Sequence, residues 1–263
     1  MEYHRFWGEG RKHHLVFFGK KYNKFYSDLR RGSLMGRIFV TGDLHGSHDI
    51  RKLNNKNFAK HNTLTKSDYV IISGDFGLVW DNSPEEKKWQ QWLDNRTFTT
   101  LFALGNHENY DLLEQYPVEN WKGGKIRRIS DSIFQLLNGQ VFTIHGKTFF
   151  TMGGACSIDR HRRTQGKSWW PQEIPSYAEM DEGIHNLQAH HNEVDYIITH
   201  TLPDEVLAQK FRLLPQYNNS LNSYLTHIWE NVAFSQWHAG HMHTECQIGR
   251  FFIHYLQVME VET

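Results

Sequence analysis

Five short apolar runs in this 263-residue chain end the same way, and that ending constrains the fold more than any other feature. RIFVT (residues 37–41) runs into Gly42-Asp43-Leu44-His45-Gly46, DYVIIS (68–73) into Gly74-Asp75-Phe76-Gly77, and TTLFAL (99–104) into Gly105-Asn106-His107-Glu108. VDYIIT (194–199) meets His200, and the run at 234–237 is followed by Gly240-His241-Met242-His243. Four of these runs are continuous and rich in β-branched or aromatic residues, the pattern of strands covered on both faces. Helix-like stretches lie between them. The clearest is SPEEKKWQQWLDN (83–95), with Ser83 as N-cap, Pro84 at the first position, acids in the first turn, and Trp89, Trp92 and Leu93 on one face. Ligands of open α/β sheets bind beyond the carboxyl ends of the strands, so five loops are predicted to converge on one edge.

The middle of the chain reads differently. SIFQLLNGQVFTIHGKTFFTMGG (132–154) alternates strand-like runs with Asn138-Gly139 and His145-Gly146 turns, which predicts a β-meander. A second hairpin is predicted from 245–248 and 251–258 across Gly249-Arg250. The whole reads as two packed sheets with helices outside, a single α/β domain over residues 35–263. Residues 1–34 fit this scheme poorly and read as a basic N-terminal extension, with eight Lys and Arg against three acids. An alternative is that Met35, just before the first strand, is the true start and that 1–34 is a mis-assigned upstream stretch.

Composition narrows the class. Hydrophobic residues make up 39% and charged residues 22%, as in a globular chain, and no apolar run approaches the roughly 20 residues a membrane span needs. No secretory signal is read at the N-terminus. Two cysteines, Cys156 and Cys246, make no disulfide framework, and a cytoplasmic protein is expected. Net charge is zero, with residues beyond 34 net negative, so nucleic acid is not the favoured partner.

The residues at the strand ends carry the chemistry. Asp, His and the Asn carbonyl are nitrogen and oxygen ligands suited to divalent metals, and no cysteine sits among them to build a closed structural zinc site. Asp43, His45, Asp75, Asn106, His200, His241 and His243 make seven candidate ligands, too many for one open ion. Two ions sharing a carboxylate accommodate them, and two metals about 3.5–4 Å apart suit phosphoryl transfer by clamping the attacking and leaving oxygens. Mn²⁺ is the expected metal, with Fe, Zn, Co and Ni also compatible.

As a set, Gly42–Gly46, Gly74-Asp75, Gly105–Glu108, Thr199-His200 and Gly240–His243 resemble the five signature blocks of the calcineurin-like metallophosphoesterases. The resemblance covers about residues 36–258. It implies a four-layer α/β/β/α sandwich of the metallophosphoesterase type. It further implies that Asp43, His45, Asp75 and His243 hold one metal, that Asp75 bridges, and that Asn106, His200 and His241 hold the other. His107 would sit beside the metals without ligating and donate a proton to the leaving oxygen. A water activated between the ions would attack phosphorus.

The chain departs from the family's protein Ser/Thr phosphatase branch, whose second block continues with an acid and an Arg. Here Phe76-Gly77-Leu78-Val79-Trp80 follow Asp75, which argues against protein phosphatase activity and leaves Asp81 as a substitute acid. Replacement phosphate contacts are expected from Arg160, Arg162 or Arg163, with Trp169 or Trp170 placed to stack on a base. The expected substrate is a small phosphate ester, a nucleotide or a phosphodiester. A nuclease, or a non-catalytic interaction module on the same fold, are the alternatives. Oligomeric state is not readable.

Overall fold

The computed structural model describes residues 36–211 and 219–263; the extension at 1–34, and Met35 with it, lies outside the described residues. In chain order the elements are β1 (Ile38–Thr41), β2 (Tyr69–Ser73), α1 (Pro84–Asp94), β3 (Thr99–Ala103), α2 (Tyr110–Leu113), β4 (Val118–Trp121), β5 (Gly124–Ser130), β6 (Ile133–Leu136), β7 (Gln140–Ile144) and β8 (Lys147–Met152). There follow α3 (Tyr177–Ala189), β9 (Glu193–Thr199), α4 (Asp204–Phe211), α5 (Ser220–Asn231), β10 (Ala233–Ala239), β11 (Cys246–Ile248), β12 (Phe251–Ile253) and β13 (Met259–Val261).

They form two sheets, ordered β13-β1-β2-β3-β6-β5-β4 and β11-β12-β10-β9-β8-β7. Period-two alternation sorts each strand's side chains into layers. Ile38, Val40, Ile71 and Leu101 meet Phe142, Phe149, Tyr196 and Ile198 between the sheets. Phe39, Val70, Ile72 and Phe102 face outward into a core that includes Leu93 of α1. Phe150, Ile197 and Trp237 face the other way, against Leu187 of α3 and Leu225 of α5. The result is the four-layer α/β/β/α arrangement. Local signals set α1: Ser83 Oγ accepts from Glu86 N at 3.2 Å, Pro84 opens the helix, and Leu93 is fully buried. Truncating Leu93 to Ala costs about 2–5 kcal/mol.

Two predicted hairpins are corrected. Residues 132–154 are not one meander, because β6 pairs with β3 and β5 in the first sheet while β7 and β8 pair in the second. The chain changes sheet at Asn138-Gly139. Gly139 takes φ +71°, and its carbonyl accepts from Asn186 Nδ2 at 2.7 Å. The closing hairpin is short for the same reason: β12 ends at Ile253, and β13 crosses back to pair antiparallel with β1. Polar contacts hold this crossing, with Glu245 accepting from Tyr255 N and Gln257 N.

Strand direction fixes where the site falls. β1, β2 and β3 are mutually parallel, as are β8, β9, β10 and β12, so the carboxyl ends within each sheet share an edge. Cys156 and Cys246 are both free thiols. Among the described residues, no helix is long and apolar enough to cross a membrane.

Candidate metal centre

The two sheets are joined at these edges by the predicted ligands. His200, one residue past β9, donates from Nδ1 to the carbonyl of Ser73 at the end of β2, 2.8 Å away. His241 N, past β10, donates to Asp43 Oδ1 past β1 at 2.9 Å. Ligand atoms of Asp43, His45, Asp75 and His243 all lie within 4.8 Å of one another. The other three gather on the far side of Asp75: His200 Nε2 lies 3.2 Å from Asn106 Oδ1 and 3.3 Å from Asp75 Oδ1, and the His200 and His241 rings are 4.9 Å apart. Asp75 turns Oδ2 to His45 Nε2 at 3.3 Å and Oδ1 to His200. Its two oxygens therefore face the two ligand groups separately.

Neighbours orient these side chains. Asp49 Oδ2 holds His45 Nδ1 at 3.0 Å, leaving Nε2 toward the cluster. Asn106 donates from Nδ2 to Ser157 Oγ at 3.2 Å, which turns its carbonyl inward. Lys52, 5% exposed, donates from Nζ to the carbonyls of Gly42, Asp43 and Tyr255 at 2.8, 2.6 and 2.7 Å. Glu108, fully buried, accepts from Phe76 N and Gly77 N at 2.7 and 3.1 Å and ties the β3 loop to the β2 loop. Burial pushes its carboxyl up to about 8.

The donor set fits divalent cations. Asp43 Oδ2 is buried with no donor in bonding geometry, although His243 Nε2 lies 2.9 Å away. Burial lowers His45 and His200, but the carboxylates, Asp75 first, outweigh it and raise both to about 9. Opposite charge is thus what this cluster of carboxylates demands. A Cβ on Gly105 would collide with Asp75 Oδ1, and one on Gly240 with Asp43 Oδ1, so both glycines admit a carboxylate that no other residue would. Among the described non-glycine residues, nine have positive φ, and four of them are His45, Asp75, His241 and His243. Such strain persists only where surroundings hold it, and it clusters at functional sites.

A model of the calcineurin-like phosphoesterase family matches residues 36–244. The chain belongs to the calcineurin-like phosphoesterase family. Membership supports hydrolase chemistry dependent on divalent metals. Three solved structures are similar to part of the chain. A Staphylococcus aureus protein designated a 5′-nucleotidase is 15% identical, with TM-score 0.45, over 83% of this chain and 48% of its own. A phosphopantetheinyl hydrolase from Mycobacterium tuberculosis is 16% identical, with TM-score 0.38, over 86% and 95%. A sulfate thiohydrolase from Thermus thermophilus is 12% identical, with TM-score 0.40, over 84% and 51%. The matched region is about half the length of the first and third of these. No curated protein matches the chain.

Around the phosphoesterase centre, the remaining predicted residues separate. His107 sits beside the cluster, its N–H donating to Asp75 Oδ1 at 2.7 Å. Burial lowers its imidazole, and the nearby positive charge of Arg163 adds to this. The Arg163 guanidinium reaches both ring nitrogens of His107 at 3.4 and 3.5 Å and is braced by Asp159 at 2.8 Å. Arg160 and Arg162 are exposed on the turn Arg160–Arg162 and do not line the site. Trp170 is 2% exposed and donates to Asp111, so it cannot stack on a base; its ring packs against Trp80 instead. The Asp81 carboxylate accepts from Ser83 N rather than from His107.

Sequence reasoning missed Lys52, Asp49 and Ser157. Asp49 carried a signal, since it stands only four residues after His45, within reach across a turn. Lys52 carried none, because its acceptors are backbone carbonyls, one of them about 200 residues away.

Proposed function

We propose that the chain is a dinuclear metal-dependent phosphoesterase acting on small phosphodiesters. One observation carries the diester reading: two cavities share His107, one reaching the Asp and His cluster through His45 and the other through Asp75, Asn106, His241 and His243. The first, about 430 Å³, includes His45, Gly77, Trp80 and Trp89 in its wall. The second, about 490 Å³, includes Asn106, Ser157, Arg163 and His241. A phosphorus seated over the cluster has room for a substituent on both sides, as a diester requires.

Asp43, His45, Asp75 and His243 would hold one ion, and Asp75, Asn106, His200 and His241 the other. The pair would supply charge stabilisation and an activated water. The chain's own residues do the rest. Arg163, held beside His107 and braced by Asp159, would turn its guanidinium to the phosphoryl oxygens, in place of the arginine that the second block lacks. His107, between the cavities, hands a proton to the leaving oxygen. Long nucleic acid is disfavoured, because Asp81, Glu85 and Glu86 line the first cavity and no Lys or Arg does among the described residues.

The test is hydrolysis of p-nitrophenyl phosphate and bis-p-nitrophenyl phosphate by metal-stripped protein with Mn²⁺ restored, beside Asp75→Asn. The proposal expects Mn²⁺-dependent turnover, faster on the diester and abolished in Asp75→Asn. Failure to bind two ions refutes the metal assignment, and preference for the monoester refutes the diester assignment.

A further inference from the structure

The two cavities at His107 differ in charge. Trp80, Trp89 and Leu78 give the first apolar walls, and Asp81, Glu85 and Glu86 give it three carboxylates. Among the described residues lining it there is no Lys or Arg. The second carries Arg163.

The first cavity also borders the start of α1, where free backbone N–H groups would ordinarily attract an anion. That attraction is cancelled here. Pro84 has no N–H, Ser83 Oγ accepts from Glu86 N, and Glu85 and Glu86 place negative charge in the first turn. Glu86 turns back to accept from the backbone N–H groups of Trp80, Asp81 and Asn82, filling the donors a phosphate would need. Asp81 is held below the ordinary carboxylate range by the Ser83 N–H, so its charge persists on the rim. At the α1 end of this cavity a polyanionic arm, such as the further phosphates of a nucleotide, meets the charge of Asp81, Glu85 and Glu86 and no Lys or Arg to offset it.

We propose that the ester arm held in this cavity is a cationic amino alcohol, a protonated or quaternary amine carried on a short chain. The assignment rests on the phosphoesterase reading and deepens it. Indole faces attract a cation through their ring quadrupole, and the adjacent carboxylates add Coulomb attraction. About 430 Å³ accommodates such a group.

Three methyl phosphodiesters test this by competition against bis-p-nitrophenyl phosphate hydrolysis in the Mn²⁺-loaded chain. They are the esters of choline, of its uncharged isostere 3,3-dimethylbutanol, and of glycolate. The choline ester is expected to compete about 2- to 30-fold better than the isostere, and the glycolate ester worst. Trp89→Ala and Glu85→Gln should each shrink the choline-to-isostere ratio. Glu85 is exposed, so the second variant reads charge without disturbing packing. Equal competition by all three esters, or preference for glycolate, overturns the inference while leaving the phosphoesterase reading intact. If no metal restores hydrolysis, that reading fails first. Tryptophan fluorescence titrated with the same esters then tests the cavity alone, and absence of a choline preference overturns the inference.

Discussion

Replacing Lys52 by Met tests whether the β1 loop is held from beneath. The ammonium is buried and donates to the carbonyls of Gly42, Asp43 and Tyr255, so it ties the Asp43 loop to the segment between β12 and β13. Met keeps the stem's length and removes all three donors. Leaving these acceptors unpaired, those of Gly42 and Asp43 buried and that of Tyr255 half-buried, costs about 1–2 kcal/mol each, or about 3–6 kcal/mol. The opposing effect is the relief of a buried charge. Burial lowers Lys52 from 10.5 to about 8, which converts to about 3 kcal/mol recovered when the ammonium is gone. The two nearly offset, so net destabilisation should stay within about 3 kcal/mol and the variant should fold. The functional cost does not cancel, because the Asp43 carbonyl loses its anchor and the carboxylate shifts with it. Loss of such outer support typically lowers metal affinity about 10- to 100-fold. Calorimetric titration with Mn²⁺, beside urea unfolding, measures both. A folded Lys52→Met variant whose Mn²⁺ affinity matches wild type within twofold refutes the anchoring argument.

Three further outcomes are expected. His107→Ala should lower kcat on bis-p-nitrophenyl phosphate about 10²- to 10⁴-fold while calorimetry still finds two bound ions; an unchanged kcat removes His107 from proton transfer. Gly105→Ala drives a methyl into Asp75 Oδ1 and its backbone N, and the forced shift should weaken Mn²⁺ binding about 5- to 100-fold in a protein that still shows native circular dichroism. Acid should destabilise the fold through the buried pair His238 and His254, whose rings bond at 2.8 Å. Burial lowers His254 to about 4 and His238 well below 6.5. The unfolded chain therefore takes up protons first as pH falls below 6.5, and stability drops through the window from 6.5 to about 4. For His254 alone the loss is about 2 kcal/mol by pH 5. Urea midpoints at pH 7.5 and pH 5 should diverge in wild type and less so in His254→Gln; equal divergence would contradict the assignment.

What the sequence discloses follows from how local each feature is. The α1 helix was legible because its cap, its proline and its apolar face lie within one stretch of chain. That the seven candidate residues gather at one edge was legible because each stands within a few residues of the strand that delivers it, and parallel pairing then aligns the ends without further instruction. Sheet membership was not legible. An Asn-Gly turn between two apolar runs reads as a hairpin whether or not the runs pair with each other, and here β6 finds β3 while β7 finds β8. The choice among the three arginines was hidden for a related reason. Arg160, Arg162 and Arg163 are neighbours in sequence, and only the turn at Arg160–Arg162, with Asp159 bracing the last of them, aims one at His107 and two at solvent.

Backbone strain explains why the metal-site sequence is so recognisable. His45, Asp75, His241 and His243 all adopt positive φ, a region costly for side chains with a Cβ. Glycine would relieve that cost at every one of these positions, yet each instead carries a ligand-type side chain. The two chemistries compete for the same residue, and the ligand wins. Relief is displaced to the neighbours, where Gly74, Gly105 and Gly240 make the close approaches that His200, Asp75 and Asp43 demand. The pairing of glycine with Asp or His at strand ends is therefore the imprint of two constraints on adjacent residues. One is the charge a cation requires, and the other is the space its ligands leave no room to share.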